Sequence, residues 1–213
     1  MPKKSKNIIK KSLISGIGGY SQTKTYYNNW SSNYDKTLKK WDYKAPIKTV
    51  KILKKNLSYE IINALDLACG TGLFAEEILK QFPKLIIDGI DISSKIISVA
   101  EKKKIYNKLK CLNFDKRFLF KQQYNLVSCI GAMTYSKDPE RLILNIEKIT
   151  KRKGFFVFTH RLDLWKKQNF INILEKISKS WKVVSISNPI LYLPKNSDFL
   201  DKIKIKIVLL QKN

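Results

Sequence analysis

The stretch Ala64-Leu-Asp-Leu-Ala-Cys-Gly-Thr-Gly-Leu-Phe-Ala75 decides the fold of this chain. Its apolar first residues predict a short buried strand, and a helix is expected from about Gly72 to Phe82. Gly70 and Gly72 lie between the two and permit a tight turn in which the backbone approaches a ligand, because glycine has no Cβ atom. The free N–H groups at the start of the helix face the same point. The stretch therefore predicts a strand–turn–helix unit that binds a ligand.

Two classes of ligand are compatible with this turn. Gly-Thr-Gly-Leu-Phe-Ala fits the fingerprint of dinucleotide-binding proteins, with alanine at the third glycine position. Asp66, four residues before Gly70, argues against a dinucleotide because a carboxylate is repelled by a pyrophosphate. A ligand with an ammonium and a sulfonium and no phosphate would be attracted by Asp66. S-adenosylmethionine is such a ligand.

A second acid follows nineteen residues after Gly72. The segment Leu85-Ile-Ile-Asp-Gly-Ile-Asp91 predicts a strand that ends in a carboxylate. A carboxylate at the tip of the second strand can accept hydrogen bonds from both hydroxyls of a ribose. Asp66, the glycine turn and Asp91 together favour S-adenosylmethionine over NAD.

Length and composition are those of one folded domain. The 213 residues are 44% hydrophobic and include four tryptophans, which predicts an α/β domain with a full core. We expect residues 1–24, rich in Lys, Ser and Gly, to be flexible, and residues 25–213 to form the domain. No apolar run approaches the roughly 18 residues of a membrane span, and Lys10 and Lys11 interrupt the apolar residues near the N-terminus. We therefore expect a cytoplasmic protein without membrane contact, as a monomer or weak dimer.

The net charge of +25 resembles that of a nucleic-acid-binding protein. However, lysine supplies 38 of the 42 basic residues, and isoleucine outnumbers valine 28 to 7. An AT-rich genome would impose both biases, and arginine is the residue expected where phosphates or bases are bound in a bidentate manner. Compositional bias is thus favoured over a specific nucleic-acid partner, which the charge does not exclude. The three cysteines show no metal-ligand spacing, and no metal site is predicted.

The segment before the first strand is unusually aromatic. Residues 25–57 contain Tyr26, Trp30, Tyr34 and Trp41, and a helix is expected to begin near Pro46. The aromatic rings either close one edge of the core or form a lid over the cofactor, since aromatic faces suit a sulfonium. Residues 58–213 are expected to form the Rossmann-like core.

Strands and helices alternate through the rest of the chain. Strand three is expected near Lys110–Asn113, followed by Phe114-Asp115 as the adenine contact, with Asn113 an equal candidate for it. The remaining strands are expected at Tyr124–Ile130, Phe155–Thr159, Trp181–Ile186 and Lys202–Leu210, with a loop over Asn188–Pro194. We predict seven strands in a mostly parallel sheet, with helices on both faces and an antiparallel last strand.

The chain resembles class I S-adenosylmethionine-dependent methyltransferases, and within them the methyltransferase-like 27 (Williams-Beuren region 27) family. The resemblance rests on the following stretches: Tyr34-Asp35, Trp41–Pro46, Asp66–Leu73, Gly89–Ser93, Tyr106, Cys129–Gly131, Thr134-Tyr135, Val157–Thr159 with Arg161, Pro189 and Tyr192–Pro194. Two positions depart from the family pattern. Asn125 replaces an aspartate that is ordinarily structural, and Phe114-Asp115 aligns with the family's Ala-Asp-Leu only across a gap.

The motifs and the resemblance imply a set of cofactor contacts and a reaction. The cofactor-binding candidates are Tyr34, Asp66, Ala68, Cys69, Gly70, Thr71, Gly72, Asp91, Ile92, Phe114, Asp115, Ile130 and Gly131. Tyr135, His160 and Arg161 are candidates on the substrate side, as an orienting group, a base and an anion partner. The implied reaction is an in-line displacement of methyl from the sulfonium, which leaves S-adenosylhomocysteine.

The methyl acceptor is expected to be a small molecule. Many RNA and protein N-methyltransferases carry an Asn/Asp-Pro-Pro-Tyr-type tetrapeptide after strand four, where this chain has Ile130-Gly-Ala-Met133, which argues against amino nitrogens of bases or glutamine as targets. An RNA or protein methyltransferase that uses the basic surface is the first alternative. A non-catalytic domain that binds the cofactor is the second.

Overall fold

A computed structural model describes residues 19–57, 59–116, 122–196 and 203–213. It contains one mixed sheet, whose strands are β1 (Asn63–Leu67), β2 (Ile86–Asp91), β3 (Lys108–Cys111), β4 (Tyr124–Cys129), β5 (Thr150–Arg161), β6 (Trp181–Ile186), β7 (Ile190–Leu191) and β8 (Lys204–Lys212). The sheet has eight strands in the order β3-β2-β1-β4-β5-β8-β6, with β7 paired to β8. The prediction of seven strands is therefore wrong by one: β7 forms inside the segment expected to be a loop.

The sheet is parallel through β5 and antiparallel beyond it. The strand β1 pairs in parallel with β2 and β4, and β8 lies antiparallel between β5 and β6. The predicted antiparallel last strand is confirmed. Because the strand order reverses direction between β1 and β4, a crevice opens at their carboxyl ends, where ligands bind in such sheets.

Helices cover both faces of the sheet, and some of them come before β1 in the chain. They are α1 (Tyr20–Trp30), α2 (Tyr34–Lys40), α3 (Ala45–Asn56), α4 (Leu73–Leu79), α5 (Ser94–Lys102), α6 (Pro139–Ile149), α7 (Leu162–Lys167) and α8 (Phe170–Lys176). The helix α1 begins inside the segment expected to be flexible, of which residues 1–18 lie outside the described part. The helix after the glycine turn is shorter than predicted. Among the described residues, no helix has the length and apolarity to cross a membrane.

Alternation along the strands divides the core into two layers. In β1, Leu65 and Leu67 pack on the side of α6 and α8, whereas Ala64 packs on the side of α3 and α4. Successive side chains of a strand point to opposite faces, so an apolar strand with both faces covered joins both layers. The carboxyl ends of the central strands are thereby held rigidly at one edge, and the candidate site lies there.

Local signals set the helices that flank this edge. The Ser93 hydroxyl accepts a hydrogen bond from the Ile96 N–H at 3.1 Å and caps α5, and the Asp138 carboxylate caps α6 through the Arg141 N–H at 3.0 Å. Asn125 and Asn63 exchange side-chain and backbone hydrogen bonds between β4 and the start of β1. The asparagine that departs from the family pattern therefore joins two strands, at the end of the sheet away from the crevice.

Candidate functional site

A cavity of about 240 Å³ lies at the carboxyl edge of the sheet, between β1 and β4. Its volume is just below the usual range for small-molecule pockets. Its wall is formed by the turn after β1, the tips of β2 and β4, the loop after β3, and α1 and α2 of the N-terminal segment. The lining side chains include Tyr20, Thr23, Tyr27, Tyr34, Ala68, Gly70, Asp91, Ile92, Ile96, Asn113, Phe114, Asp115, Lys116, Ile130, Gly131, Ala132, Tyr135 and Lys137.

The glycine turn is built from residues in the left-handed backbone region. Ala68, Gly70 and Gly72 have φ values of 52°, 57° and 95°, which glycine adopts without strain and alanine only at a cost. The Cys69 N–H donates to the Ile90 carbonyl at 2.9 Å and ties the turn to β2. The turn is thus held against the strand that carries Asp91.

Asp91 is the central polar group of the cavity. It is 7% exposed, and its two carboxylate oxygens accept hydrogen bonds from the backbone N–H groups of Gly70 at 3.0 Å and Ser93 at 2.9 Å. Burial raises the pKa of Asp91 to about 6, although these donors act to lower it. Each oxygen has a further lone pair, so the carboxylate can accept two more hydrogen bonds from a ligand in the cavity.

Asp66 lies deeper, beneath the turn. Its carboxylate is 1% exposed and accepts from the Ser128 hydroxyl at 2.7 Å and the Tyr106 hydroxyl at 2.9 Å. Burial raises its pKa to about 7, and the charge of Asp91 adds to that effect. Asp66, Cys69 and Thr71 line a smaller cavity of about 30 Å³ that shares Tyr34 and Gly70 with the main one.

Other side chains of the protein pack closely against Gly72. A Cβ atom on Gly72 would lie 3.1 Å from the ring of Tyr106 and 3.2 Å from Ile105. A Cβ atom on Gly89 in β2 would lie 2.9 Å from the same Tyr106 ring. Gly72 is outside the wall described above, so its lack of a side chain serves the packing of Tyr106 under the turn.

The loop after β3 closes the end of the cavity expected to hold adenine. Asn113, Phe114 and Asp115 all line the cavity. The Asp115 carboxylate accepts from the Ser136 hydroxyl at 2.6 Å, and the Asp115 N–H donates to the Asn113 side-chain oxygen at 2.9 Å. Both candidates for the adenine contact therefore lie in the same wall, and Asp115 also joins the loops after β3 and β4.

Aromatic side chains from the N-terminal segment of the chain cover the cavity. We call residues 20–40, which comprise α1 and α2, the aromatic lid. The Tyr27 hydroxyl lies 2.9 Å from the Tyr135 hydroxyl, so the lid is hydrogen-bonded to the loop after β4. The Tyr34 ring lies over the turn, 3.8 Å from the Cβ position of Gly70. The sequence predicts Tyr34 as a cavity residue but not Tyr27. The one signal for Tyr27 in the sequence is its helical spacing from Tyr20 and Thr23, which line the same cavity.

A second pair of tyrosines, which sequence reasoning also missed, lies behind Gly131. The rings of Tyr43 and Tyr192 meet edge to face at 5.5 Å. A Cβ atom on Gly131 would lie 2.8 Å from the Tyr43 hydroxyl and 3.2 Å from the Tyr192 hydroxyl. Gly131 has a φ of 83°, and its N–H donates to the Thr159 hydroxyl at 2.7 Å. Glycine is thus required here for backbone conformation and for the approach of two hydroxyls.

The three substrate-side candidates lie in different environments. Tyr135 lines the cavity, and burial raises its pKa, so its phenol is neutral near pH 7. Arg161 forms two hydrogen bonds to Asp163, at 3.0 and 2.7 Å, and its charge reaches Tyr135 and Tyr192, where it acts to lower their pKa values.

His160 is fully buried and lies outside the wall described above. Its ring packs 4.7 Å from Phe170 and 6.1 Å from Trp165, measured between centroids. Burial lowers its pKa to about 4, so the imidazole is neutral at physiological pH. The structure therefore brings Tyr135, and not His160, into the cavity wall.

The residues present fit S-adenosylmethionine. Asp66 and Asp91 are both buried, and within the described ranges neither pairs with a lysine or arginine. Two buried carboxylates without a cation favour a positively charged ligand. In the part of the chain that the structure describes, no cluster of three or more His, Cys, Asp or Glu side chains is suited to a metal.

Comparisons with known proteins agree with this geometry. Residues 65–156 match a family model described as a methyltransferase domain. The chain is 31% identical over 135 residues to malonyl-[acyl-carrier protein] O-methyltransferase 2 of Ilyobacter polytropus, covering 60% of this chain and 51% of that protein. It is 29% identical over 150 residues to human methyltransferase-like protein 27, covering 68% and 60% respectively. The chain thus spans roughly half to three fifths of the length of these relatives.

A structural comparison extends the likeness to the whole chain. The plantazolicin methyltransferase BpumL, solved with a pentazolic desmethylPZN analog and SAH, superposes with a TM-score of 0.67 at 17% identity, and the match covers 100% of both chains. At that identity the likeness shows the fold. Together with the domain match, the glycine turn and the two buried carboxylates, it leads to one conclusion: residues 65–156 form a methyltransferase domain, and the chain has the fold of class I S-adenosylmethionine-dependent methyltransferases.

Proposed function

We propose that this protein transfers a methyl group from S-adenosylmethionine to a small-molecule acceptor. The observation that carries the proposal is the aromatic lid: Tyr20, Thr23 and Tyr27 of α1 form part of the cavity wall, and the Tyr27–Tyr135 hydrogen bond joins the lid to the loop after β4. A cavity covered in this way admits a compact acceptor more readily than a folded RNA or protein. The relative from Ilyobacter is named a malonyl-[acyl-carrier protein] O-methyltransferase, and a malonyl group is a compact acceptor even where a carrier protein presents it.

The residues of the cavity have separate roles in this proposal. Asp91 accepts hydrogen bonds from the two ribose hydroxyls, and the side chains of Phe114 and Ile92 provide apolar surfaces for the adenine. Asp66 lies under the turn, where its negative charge favours the cationic end of the cofactor. The bound cofactor supplies an activated methyl group, and the protein supplies alignment and exclusion of water.

The polar groups on the acceptor side orient the substrate. Tyr135 is a neutral phenol and can donate a hydrogen bond to an acceptor oxygen or nitrogen. The Arg161 charge lies close enough to affect Tyr135 and Tyr192 but is engaged by Asp163. This arrangement suits acceptors that are nucleophilic without proton removal, such as carboxylates or neutral amines, over alcohols that require a strong base.

Calorimetry tests the cofactor part of the proposal. We expect S-adenosylmethionine and S-adenosylhomocysteine to bind in the micromolar range, and NAD to give no heat of binding under the same conditions. Tighter binding of NAD would contradict the proposal, because Asp66 then could not act as described.

Labelled methyl transfer tests the acceptor part. The protein is incubated with labelled S-adenosylmethionine and, separately, with the small-molecule, RNA and protein fractions of a cell extract. We expect label in the small-molecule fraction. Label on one nucleotide of the RNA fraction would favour the alternative that uses the basic surface, and cofactor binding without transfer to any fraction would favour a non-catalytic domain.

A further inference from the structure

A charged cluster joins the aromatic lid to the cofactor turn. The Lys103 ammonium lies 2.9 Å from the Asp35 carboxylate and 2.9 Å from the Glu76 carboxylate. The other oxygen of Asp35 accepts a hydrogen bond from the Thr71 hydroxyl. The Lys103 side chain is only 18% exposed, while those of Asp35 and Glu76 are each 39% exposed. One partly buried cation therefore serves two carboxylates.

The four residues come from four segments that surround the site. Asp35 is in α2 and directly follows Tyr34, whose ring covers Gly70. Thr71 is in the glycine turn, Glu76 is in α4, and Lys103 follows the last residue of α5. The helices α4 and α5 follow the two strands that carry Asp66 and Asp91. The cluster thus connects the lid with both of the motifs that form the cofactor site.

Lys103 is the only cation of this cluster among the described residues. Burial acts to lower its pKa, but the hydrogen bonds and charges of Asp35 and Glu76 outweigh burial and raise the pKa. The ammonium is therefore charged at physiological pH. Without it, two carboxylates that each lie 2.9 Å from this ammonium would be left within about 6 Å of each other, and like charges that close repel.

We propose that Lys103 is a positioning residue for cofactor binding, which holds Tyr34 over the glycine turn by neutralising Asp35 and Glu76 together. The inference rests on the cofactor site proposed above. In this proposal a ligand beneath Tyr34 is released more readily when the lid separates from the turn, so weakening this junction raises the dissociation rate of the cofactor. Lys103 is not among the side chains that line the described cavity, so it acts through its two carboxylate partners.

The test is the dissociation rate of S-adenosylhomocysteine, measured by stopped-flow displacement with excess S-adenosylmethionine. We expect Lys103→Met to release the ligand about tenfold faster than the unmodified protein, the effect of about 1.4 kcal/mol lost from the bound state. Asp35→Asn should have a smaller effect, because it keeps an acceptor for Thr71 and leaves the Lys103–Glu76 pair intact. Lys103→Arg should release the ligand at close to the unmodified rate.

Two further measurements separate positioning from general stability. The double variant Lys103→Met/Asp35→Asn should release the ligand more slowly than Lys103→Met, because the repulsion between carboxylates is removed. High salt should likewise slow release from Lys103→Met by screening that repulsion. The matched control is Lys80→Met, which removes an exposed ion pair with Glu77 (2.6 Å), and its dissociation rate should be unchanged.

These experiments separate failure of the proposed role of Lys103 from failure of the proposed function. If the unmodified protein binds neither S-adenosylmethionine nor S-adenosylhomocysteine, the cofactor site is wrong and the role of Lys103 with it. If the unmodified protein binds but Lys103→Met releases the ligand at the same rate, or the double variant releases it faster still, only the role of Lys103 is overturned. A fall in melting temperature without a change in dissociation rate would also overturn it.

Discussion

The burial of Asp66 predicts that the stability of the protein without cofactor depends on pH. The substitution Asp66→Asn tests this prediction. Asparagine has nearly the same shape as aspartate, and its side-chain oxygen can still accept from the Ser128 hydroxyl, which lies 2.7 Å from the carboxylate in this structure. The Tyr106 hydroxyl can turn to accept from the new amide instead of donating. The substitution Asp66→Asn therefore removes the titration of one buried carboxyl with little change in packing.

The magnitude follows from the pKa. Burial raises the pKa of Asp66 from 3.8 to about 7, so between these values the folded protein holds a proton that the unfolded chain has lost. Stability of the unmodified protein relative to the variant therefore falls as the pH rises from 5 towards 7, and it changes little above pH 8. Over this range the expected change is about 2.7 kcal/mol, from roughly two pH units at 1.36 kcal/mol each.

Urea unfolding at pH 5 and pH 8 measures this change as the difference in free energy of unfolding between the two proteins. Comparison at each pH cancels the effect of the high net charge, which both proteins share. Asp163→Asn is the control: although burial acts to raise its pKa, Arg161 lowers it, so Asp163 stays ionised from pH 5 to 8 and its difference should be constant. A difference for Asp66→Asn that is equal at both pH values, or that grows in the opposite direction, would refute the reasoning.

Three other outcomes are expected. Asp91→Asn should weaken binding of S-adenosylhomocysteine by about 1–3 kcal/mol, measured by calorimetry, because an amide cannot accept from both the backbone and the ribose as a carboxylate can; unchanged affinity would place the ribose elsewhere. Gly72→Ala should lower the free energy of unfolding by about 1–3 kcal/mol in urea, because φ is 95° and the Tyr106 ring is 3.1 Å from the added atom; Gly19→Ala, with open space around it, is the control. RNA binding should be weak, fall steeply with salt and be unaffected by saturating S-adenosylhomocysteine in filter-binding assays; a preferred RNA that binds near physiological salt would contradict this.

Which residues meet at the candidate cofactor site could largely be predicted, because the signals that place them are local. The turn after β1 needs glycine at Gly70, and Asp66 and Asp91 lie at fixed distances along the chain from it. Parallel strands end at one edge of a sheet, so the residues after β2, β3 and β4 had to meet there. The candidates for the adenine contact are neighbouring residues of one loop, Asn113 to Asp115, and all of them line the cavity; the contact itself stays a prediction.

The acceptor half could not be predicted in the same way. His160 and Arg161 follow each other in β5, and adjacent residues of a strand point to opposite faces. The register of β5 against β8 and the packing of Phe170 decide which of these two residues points towards the site. A local sequence pattern contains neither. The single histidine, the obvious candidate for a base, lies in an aromatic layer of the core for that reason.

The sequence by itself determined the fold class, the cofactor turn and its two carboxylates, since each depends on backbone conformation and short-range spacing. Only the tertiary structure decided that Tyr27 meets Tyr135 and that Lys103 lies between Asp35 and Glu76. These partners are separated by 27 to 108 positions along the chain. Contacts at such separations exist only once the sheet is complete and α1, α2 and α5 pack on it, because hydrogen bonds and ion pairs require atoms within about 3 Å of each other.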